Sequence, residues 1–167
     1  MIEQVHKENE NPAYEIWNDE PISDDPGDFL EWFKSLTLLQ QICFPTQWLC
    51  NEVYNGGFHQ YFGNTTGLHA PEAVSGFRVL GLDDIAEIAE KAISVFGNDY
   101  PRDRAVREAF LDGIEGDDIS EWNPFFKLDD VFYEAIKVPG APDLFDDDRY
   151  TMAVKDYVNL HHKKYVE

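Results

Sequence analysis

Carboxylates are the side chains through which this sequence could do chemistry. The chain of 167 residues has 33 aspartates and glutamates against 13 lysines and arginines, a formal net charge of -20 at pH 7. Carboxylates in such number could ligate cations, transfer protons or bind a basic partner. They exclude direct nucleic-acid binding, because phosphate recognition needs a cationic surface, and they argue against an anionic membrane surface as partner.

Metal binding is the first chemistry to consider, and the densest acidic run extends from Asp112 to Glu121. A calcium-binding EF-hand loop needs an oxygen ligand at its third position and glycine at its sixth. Counted from Asp112, these positions hold Ile114 and Asp117, so the template fails. No pair of histidines combines with the cysteines at a zinc-binding spacing. We therefore expect no metal and no other cofactor.

Catalysis is not indicated by any motif. The sequence has no phosphate-binding loop of the G-x-x-x-x-G-K type and no G-x-S-x-G nucleophile elbow. Carboxylate pairs suited to glycoside hydrolysis can be chosen at any separation among 33 acids, so their number carries no specificity. We expect a protein that is not an enzyme.

The acids are concentrated in two clusters. From Glu108 to Asp148 there are 13 acids against two lysines, and from Glu15 to Glu31 there are seven acids and no base. From the first cluster we predict a partner-binding negative face that comprises Asp112, Glu115, Asp117, Asp118, Glu121, Asp129, Asp130, Glu134, Asp143, Asp146, Asp147 and Asp148. The second acidic cluster comprises Asp19, Glu20, Asp24, Asp25, Asp28 and Glu31.

Helix capping is the alternative explanation for part of this charge. Several acids fall at predicted helix starts, where a carboxylate accepts hydrogen bonds from free N–H groups and complements the helix dipole. These acids are Asp28, Asp83, Asp84, Asp129, Asp130, Asp146, Asp147 and Asp148. Capping explains one or two acids per helix but not seven in a row without a counter-ion, so we expect capping together with a functional negative face.

The elements that position these acids are predicted to be helices throughout, since apolar residues recur at helical spacing and alternating strand patterns are scarce. Predicted helices cover 28–35, 35–55 with a kink or interruption at Pro45, 71–80, 82–96, 106–114, 128–137 and 147–165. Asp103 with Arg107 and Arg104 with Glu108 stand at i,i+4 spacing. The sequence predicts one all-α domain over residues 1–167 with six to eight helices, and residues 1–11 flexible.

The two cysteines and the polar start indicate the compartment. Cys43 and Cys50 are seven residues apart, which on a helix is roughly 10 Å along the axis, too far for a disulfide. Residues 1–11 lack the apolar stretch of an export signal, and no stretch approaches the ~18 apolar residues of a membrane span. We expect a cytoplasmic protein with unpaired cysteines.

The most distinctive motif is N-G-G-F-H-Q-Y-F-G-N, from Asn55 to Asn64. Asn55, Gly56 and Gly57 tolerate positive φ and predict the end of a helix, after which the aromatic residues re-enter the core. The polar side chains of Glu52, Gln60 and Asn64 are predicted to satisfy the backbone groups exposed at this break. We interpret the segment as a corner of the fold, with a ligand pocket as the alternative.

With this motif the sequence resembles a bacterial family of small all-α domains, long described as of unknown function, that includes an acidic DNA-mimic protein. The resemblance extends roughly from residue 36 to residue 165. It assigns Asn55, Gly56, Gly57, Phe58 and Asn64 as family-defining residues, and it assigns none of the acids. It implies a protein that binds the DNA-reading face of a helix-turn-helix repressor and competes with the operator.

Two alternatives to a DNA mimic stay open. An immunity-type inhibitor of a basic toxin or nuclease would use the same charge to block a catalytic cleft. A small-ligand-binding or enzymatic domain would use a pocket near Tyr54, Phe58 and Tyr61. The partner expected from the resemblance is a basic DNA-binding protein rather than nucleic acid or membrane, and the chain is compatible with a monomer or a homodimer.

Overall fold

The computed structural model describes residue 13 and residues 25–114, 123–138 and 148–162. Within these ranges it contains seven α-helices, one 3-10 helix and no strand, which confirms the all-α prediction and the number of helices. In chain order they are α1 (Pro26–Ser35), α2 (Leu38–Gly63), the 3-10 helix (Thr65–His69), α3 (Ala70–Val79), α4 (Asp83–Ser94), α5 (Arg104–Ile114), α6 (Phe126–Ile136) and α7 (Arg149–His162). The predicted flexibility of residues 1–11 concerns a segment outside these ranges.

Helix α2 is the centre of the fold, and half of its 26 residues are buried. It packs against α3, α5 and α6, while α4 packs against α3 and α6. A helix covered on several sides needs apolar residues around most of its circumference, whereas α4 is apolar on one face only. The buried aromatic side chains of Phe44, Phe58 and Phe62 on α2 form the middle of the core.

The contact between α2 and α3 is close because Gly76 has no side chain. A Cβ atom at this position would lie 2.9 Å from the carbonyl oxygen of Ile42 and 2.7 Å from Cγ2 of Thr46. Both distances are shorter than a van der Waals contact, so glycine lets the two backbones approach.

The sequence predicted a kink or interruption of α2 at Pro45, but the interruption of this helix lies elsewhere. Non-helical backbone torsions within α2 occur at Gly56 and Gly57 instead. Proline fixes φ near -65°, a value that a helix can accommodate, whereas Gly57 adopts a φ of 75° that other residues rarely adopt. The predicted helix end at Asn55 to Gly57 is therefore confirmed as a break, after which the helix resumes.

Cys43 and Cys50 are both free and buried on α2, as predicted. Burial raises the pKa of the Cys43 thiol to about 12, which makes it a poor nucleophile at neutral pH. None of the helices in the described ranges is long and apolar enough to cross a membrane.

Candidate functional site

The break in α2 is held by an acid from another helix. Gly56 and Gly57 interrupt the helix, so the N–H of Phe58 begins a new helical segment without a carbonyl partner one turn earlier. The carboxylate of Asp129 on α6 accepts a 2.8 Å hydrogen bond from this N–H. A Cβ atom on Gly57 would lie only 2.5 Å from Oδ2 of Asp129. The glycine is thus needed both for its torsions and for this close approach.

Asp129 is therefore half-buried and bound to the backbone of α2, so it is not the fully solvated acid that the sequence predicted, and its part in partner binding stays a prediction. Its position in the densest acidic cluster predicts a place on the negative face, and its position near the start of its own helix predicts capping of that helix. Its partner is instead 71 positions away along the chain. Burial raises the pKa of Asp129 to about 6, the neighbouring Asp130 also raises it, and the hydrogen bond from Phe58 and the proximity of His59 oppose this change.

Asp129→Asn is expected to remove a pH dependence from the stability. Because the pKa is higher in the folded chain than the ordinary 3.8, the folded state binds the proton first and is stabilised as the pH falls through about 6 towards 4. The unfolding free energy of the variant minus that of the wild type should rise by on the order of 1 kcal/mol from about pH 4.5 to 7.5. Urea denaturation measures both values, and a flat or falling difference would contradict the assignment.

The polar side chains of the motif bind one another. The carboxylate of Glu52 accepts hydrogen bonds of 2.8 Å from Nε2 of Gln60 and from Nδ2 of Asn64, and one of 3.2 Å from Oγ1 of Thr66. The prediction that these side chains satisfy the backbone at the break was therefore wrong, since Asp129 has that role. The cluster joins the two segments of α2 to the 3-10 helix across the break.

A buried arginine binds the C-terminal end of α2, where the helical segment after the break ends. The guanidinium of Arg107 on α5 donates to the carbonyl oxygens of Phe62 at 2.9 Å, Asn64 at 3.0 Å and Pro101 at 3.3 Å, and also to that of Arg102. Its side chain is fully buried. The carbonyl groups at a helix C-terminus are without intrahelical partners and carry partial negative charge, so a cation is favoured there.

The i,i+4 spacings on α5 were predictive in one case of two. Arg104 and Glu108 form the expected ion pair at 2.9 Å. Arg107 was expected to pair with Asp103, but its side chain points inward to carbonyl oxygens, and Asp103 accepts a hydrogen bond from the N–H of Val106. No signal in the sequence distinguishes this arginine from a surface arginine.

Asp148 is also turned inward. It is 9% exposed, and its carboxylate accepts hydrogen bonds from the hydroxyl of Tyr54 at 2.9 Å and from the N–H of Thr151 at 2.6 Å. It thereby caps α7, as the alternative explanation of the acids predicted, and joins α7 to α2. Its predicted place on a solvated negative face is corrected accordingly.

The remaining predicted acids divide into exposed ones and ones outside the described ranges. Asp112 on α5 and Asp130 and Glu134 on α6 are exposed, and so are Asp25, Asp28 and Glu31 at the cap and on the body of α1. Glu134 forms an ion pair with Lys137, and Asp25 caps α1 through the N–H of Gly27 at 2.7 Å. Outside the described ranges lie Glu115, Asp117, Asp118, Glu121, Asp143, Asp146, Asp147, Asp19, Glu20 and Asp24.

The exposed acids of α6 are the part of the predicted face that the structure places together. Asp130 and Glu134 are one helical turn apart and therefore lie on the same side of α6. In the residues that the structure describes, no group of three or more histidine, cysteine or acidic side chains could hold a metal ion. Asp130 and Glu134 therefore form a small charged patch on the surface of α6.

Fold and surface define an acidic, all-helical protein built around one broken central helix. Among known families, the one described as DMP19-like protein matches residues 34–149. This match covers more than half of the chain, and the protein belongs to the DMP19-like family. No curated protein and no solved structure matches the chain.

Proposed function

We propose that the protein is a DNA mimic, which presents a negative surface to a basic DNA-binding protein and competes with that protein's DNA site. The observation that carries this proposal is the net charge of -20 on a member of the DMP19-like family, a family of DNA mimics. The partner we propose is a helix-turn-helix repressor, whose target genes would be derepressed. We propose that the complex forms in the cytoplasm.

The average charge per unit length of the protein is close to that of duplex DNA. A compact domain of 167 residues has a radius of gyration of about 15 Å and thus a diameter of about 40 Å. A net charge of -20 over this length is one charge per ~2 Å, compared with one per ~1.7 Å of duplex DNA. Exposed carboxylates can accept from a partner's lysines, arginines and helix N-termini the hydrogen bonds that DNA phosphates would accept.

The competing proposals differ in what they require of the partner. An immunity-type inhibitor would block the activity of a basic nuclease instead of a repressor's binding to its operator. Partners captured from the native lysate at low salt and eluted at high salt can be tested in both assays. Displacement of operator DNA at stoichiometric protein supports mimicry, and inhibition of a nuclease without such displacement contradicts it.

For a ligand-binding or enzymatic domain, the predicted pocket would lie near Tyr54, Phe58 and Tyr61. Phe58 and Tyr61 are fully buried, and the ring of Tyr54 stacks on that of Tyr133 at 6.3 Å. All three side chains pack in or against the core, which favours the interpretation of the motif as a corner of the fold over a ligand pocket.

Salt is expected to weaken the complex with the partner less steeply than it weakens the partner's complex with DNA. Carboxylates on a globular surface condense fewer counterions than a duplex, so fewer are released on binding. The two slopes of log Kd against log salt concentration can be measured in the same buffers. An equal or steeper slope for the protein complex would count against this account of the surface.

The exposed acids on α5 and α6 are expected to contribute directly to binding. The combined changes Asp112→Asn, Asp130→Asn and Glu134→Gln preserve shape and remove three charges. Because exposed charge-assisted contacts contribute roughly 0.5–1.5 kcal/mol each, partner binding should weaken by about tenfold or more. Affinity can be measured by isothermal titration calorimetry, with circular dichroism to confirm folding.

The matched control carries the same number of neutralised charges at exposed positions elsewhere, on α4, before α5 and on α7. It combines Glu87→Gln, Asp99→Asn and Asp156→Asn. A loss of affinity as large as that of the α5 and α6 variant would mean that binding responds to net charge alone. If neither variant affects binding, the binding face is formed by acids that neither variant changes.

A further inference from the structure

A pocket of about 280 Å³ opens between α1, the beginning of α2 and α3. Apolar side chains form most of its wall, among them Phe33, Ile42 and Pro71. Leu38 and Val79, which also line it, are 63% and 50% exposed, so apolar surface at the pocket is left in contact with water. The volume lies just below the ~300–1,000 Å³ of pockets for drug-sized ligands, and it suits a single long side chain.

The polar side chains that line this pocket have used their donor groups within the protein and can only accept further hydrogen bonds. The amide nitrogen of Gln41 donates to the carbonyl oxygens of Phe33 at 3.1 Å and Leu36 at 3.0 Å, which leaves its Oε1 as a free acceptor. The hydroxyl of Ser75 donates to the carbonyl oxygen of Pro71 at 3.1 Å, which leaves lone pairs on its oxygen.

The third polar residue in the lining is Glu72. Its two carboxylate oxygens accept hydrogen bonds of 2.9 and 2.8 Å from Arg102, and each oxygen retains a further lone pair. This ion pair adds acceptor capacity to the pocket but little net charge. A ligand that matches the lining therefore has an apolar body and a polar end that donates hydrogen bonds.

We propose that this pocket binds the side chain of a lysine or arginine from a basic protein, and the identification of that protein with the repressor rests on the proposed function. The aliphatic stem would cover the apolar wall, and the cationic head would donate to the oxygens of Gln41, Glu72 and Ser75. The net charge of -20 favours a cation over an anion at any site on this chain. A purely apolar side chain would bury Oε1 of Gln41 and the remaining lone pairs of Glu72 and Ser75 without partners, which is unfavourable.

Three small probes of equal length test the proposal without knowledge of the partner. Pentylammonium has the stem and head of a lysine side chain, 1-pentanol replaces the charge by a hydroxyl, and pentanoate reverses the charge. Each is titrated into ¹⁵N-labelled full-length protein, and the amide shifts of Ile42, Gly76 and Val79 report on the pocket. We expect pentylammonium to bind roughly two- to fivefold more tightly than pentanol, the usual range for an exposed charge-assisted contact, and pentanoate not to bind.

Two serine variants provide the matched comparison. Ser75 and Ser94 are both exposed, and the hydroxyl of each donates to a carbonyl oxygen of its own helix. Only Ser75 lines the pocket, so Ser75→Trp should abolish the pentylammonium shifts and Ser94→Trp should leave them unchanged. Circular dichroism confirms that both variants are folded.

Several outcomes would overturn the proposal. Equal affinity for pentanol would make the pocket simply apolar, and tighter binding of pentanoate would show that helix N-termini dominate its electrostatics. Shifts spread over the acidic surface would show general attraction of cations. Shifts of the reporter amides on dilution of the protein alone would identify a second copy as the occupant. Each result concerns this pocket only, whereas operator displacement decides the proposed function.

Discussion

Replacing Arg107 with alanine is expected to lower the unfolding free energy by about 3–5 kcal/mol, the range for disrupting a buried charged hydrogen-bond network. The guanidinium is fully buried and donates to four carbonyl oxygens at the end of α2 and before α5. Alanine would leave these oxygens without donors and open a cavity beside the 3-10 helix. Urea denaturation followed by circular dichroism measures the loss.

Arg78 provides the control for this prediction. It pairs with Glu90 at 2.7 Å, and both side chains are about half exposed. Arg78→Ala should therefore change stability by less than about 1 kcal/mol. If Arg107→Ala does not fold, Arg107→Lys keeps the charge but reaches fewer carbonyls, and it should still lose about 2 kcal/mol. A loss for the Arg107 variants no larger than that for Arg78→Ala would refute the role of this side chain.

Replacing Gly57 with alanine is expected to lower the unfolding free energy by about 3 kcal/mol or more. Its torsions, φ 75° and ψ 180°, belong to a region that residues with a side chain avoid, at a cost of about 1–3 kcal/mol. The added Cβ would also meet the carboxylate of Asp129 at 2.5 Å and displace it from the N–H of Phe58. Strain and the loss of a cap therefore add together.

Gly81 provides a comparison at which the steric contact is absent. It has the same φ of 75°, but a Cβ atom there would meet nothing within 4 Å. Gly81→Ala should lose about 1 kcal/mol, because the added methyl group meets only the strain of a positive φ. Equal losses at both glycines, measured by the same denaturation experiment, would show that the contact with Asp129 does not matter.

Local patterns predicted the helices well because helical periodicity is a short-range property. The apolar face of α4, with Ile85, Ile88 and Ala92 buried, could be identified within four turns of sequence. The glycine pair that breaks α2 was equally visible, since few other residues adopt the required torsions. Helix ends were predicted within a few residues for the same reason.

The roles of individual charged residues could not be predicted in this way. Asp129 and Asp148 both stood in an acidic cluster near a helix start, where capping is common. Asp148 caps its own helix, but Asp129 caps a segment that begins 71 positions earlier in the chain. Whether a charged side chain points inward depends on which helices become neighbours, and this information is not local. The same applies to Arg107.

The central helix also imposes an order on folding during synthesis. Its partners emerge from the ribosome in sequence, with Arg107 45 positions after Phe62, Asp129 71 positions after Phe58, and Asp148 94 positions after Tyr54. At a synthesis rate of about 5–20 residues per second, the carboxylate of Asp129 is made roughly 4–14 s after the N–H of Phe58 that it binds. Between the synthesis of Arg107 and that of Asp129, the second segment of α2 has its C-terminal arginine available but no N-terminal cap. The break in α2 is therefore completed only when α6 has been made, late in translation.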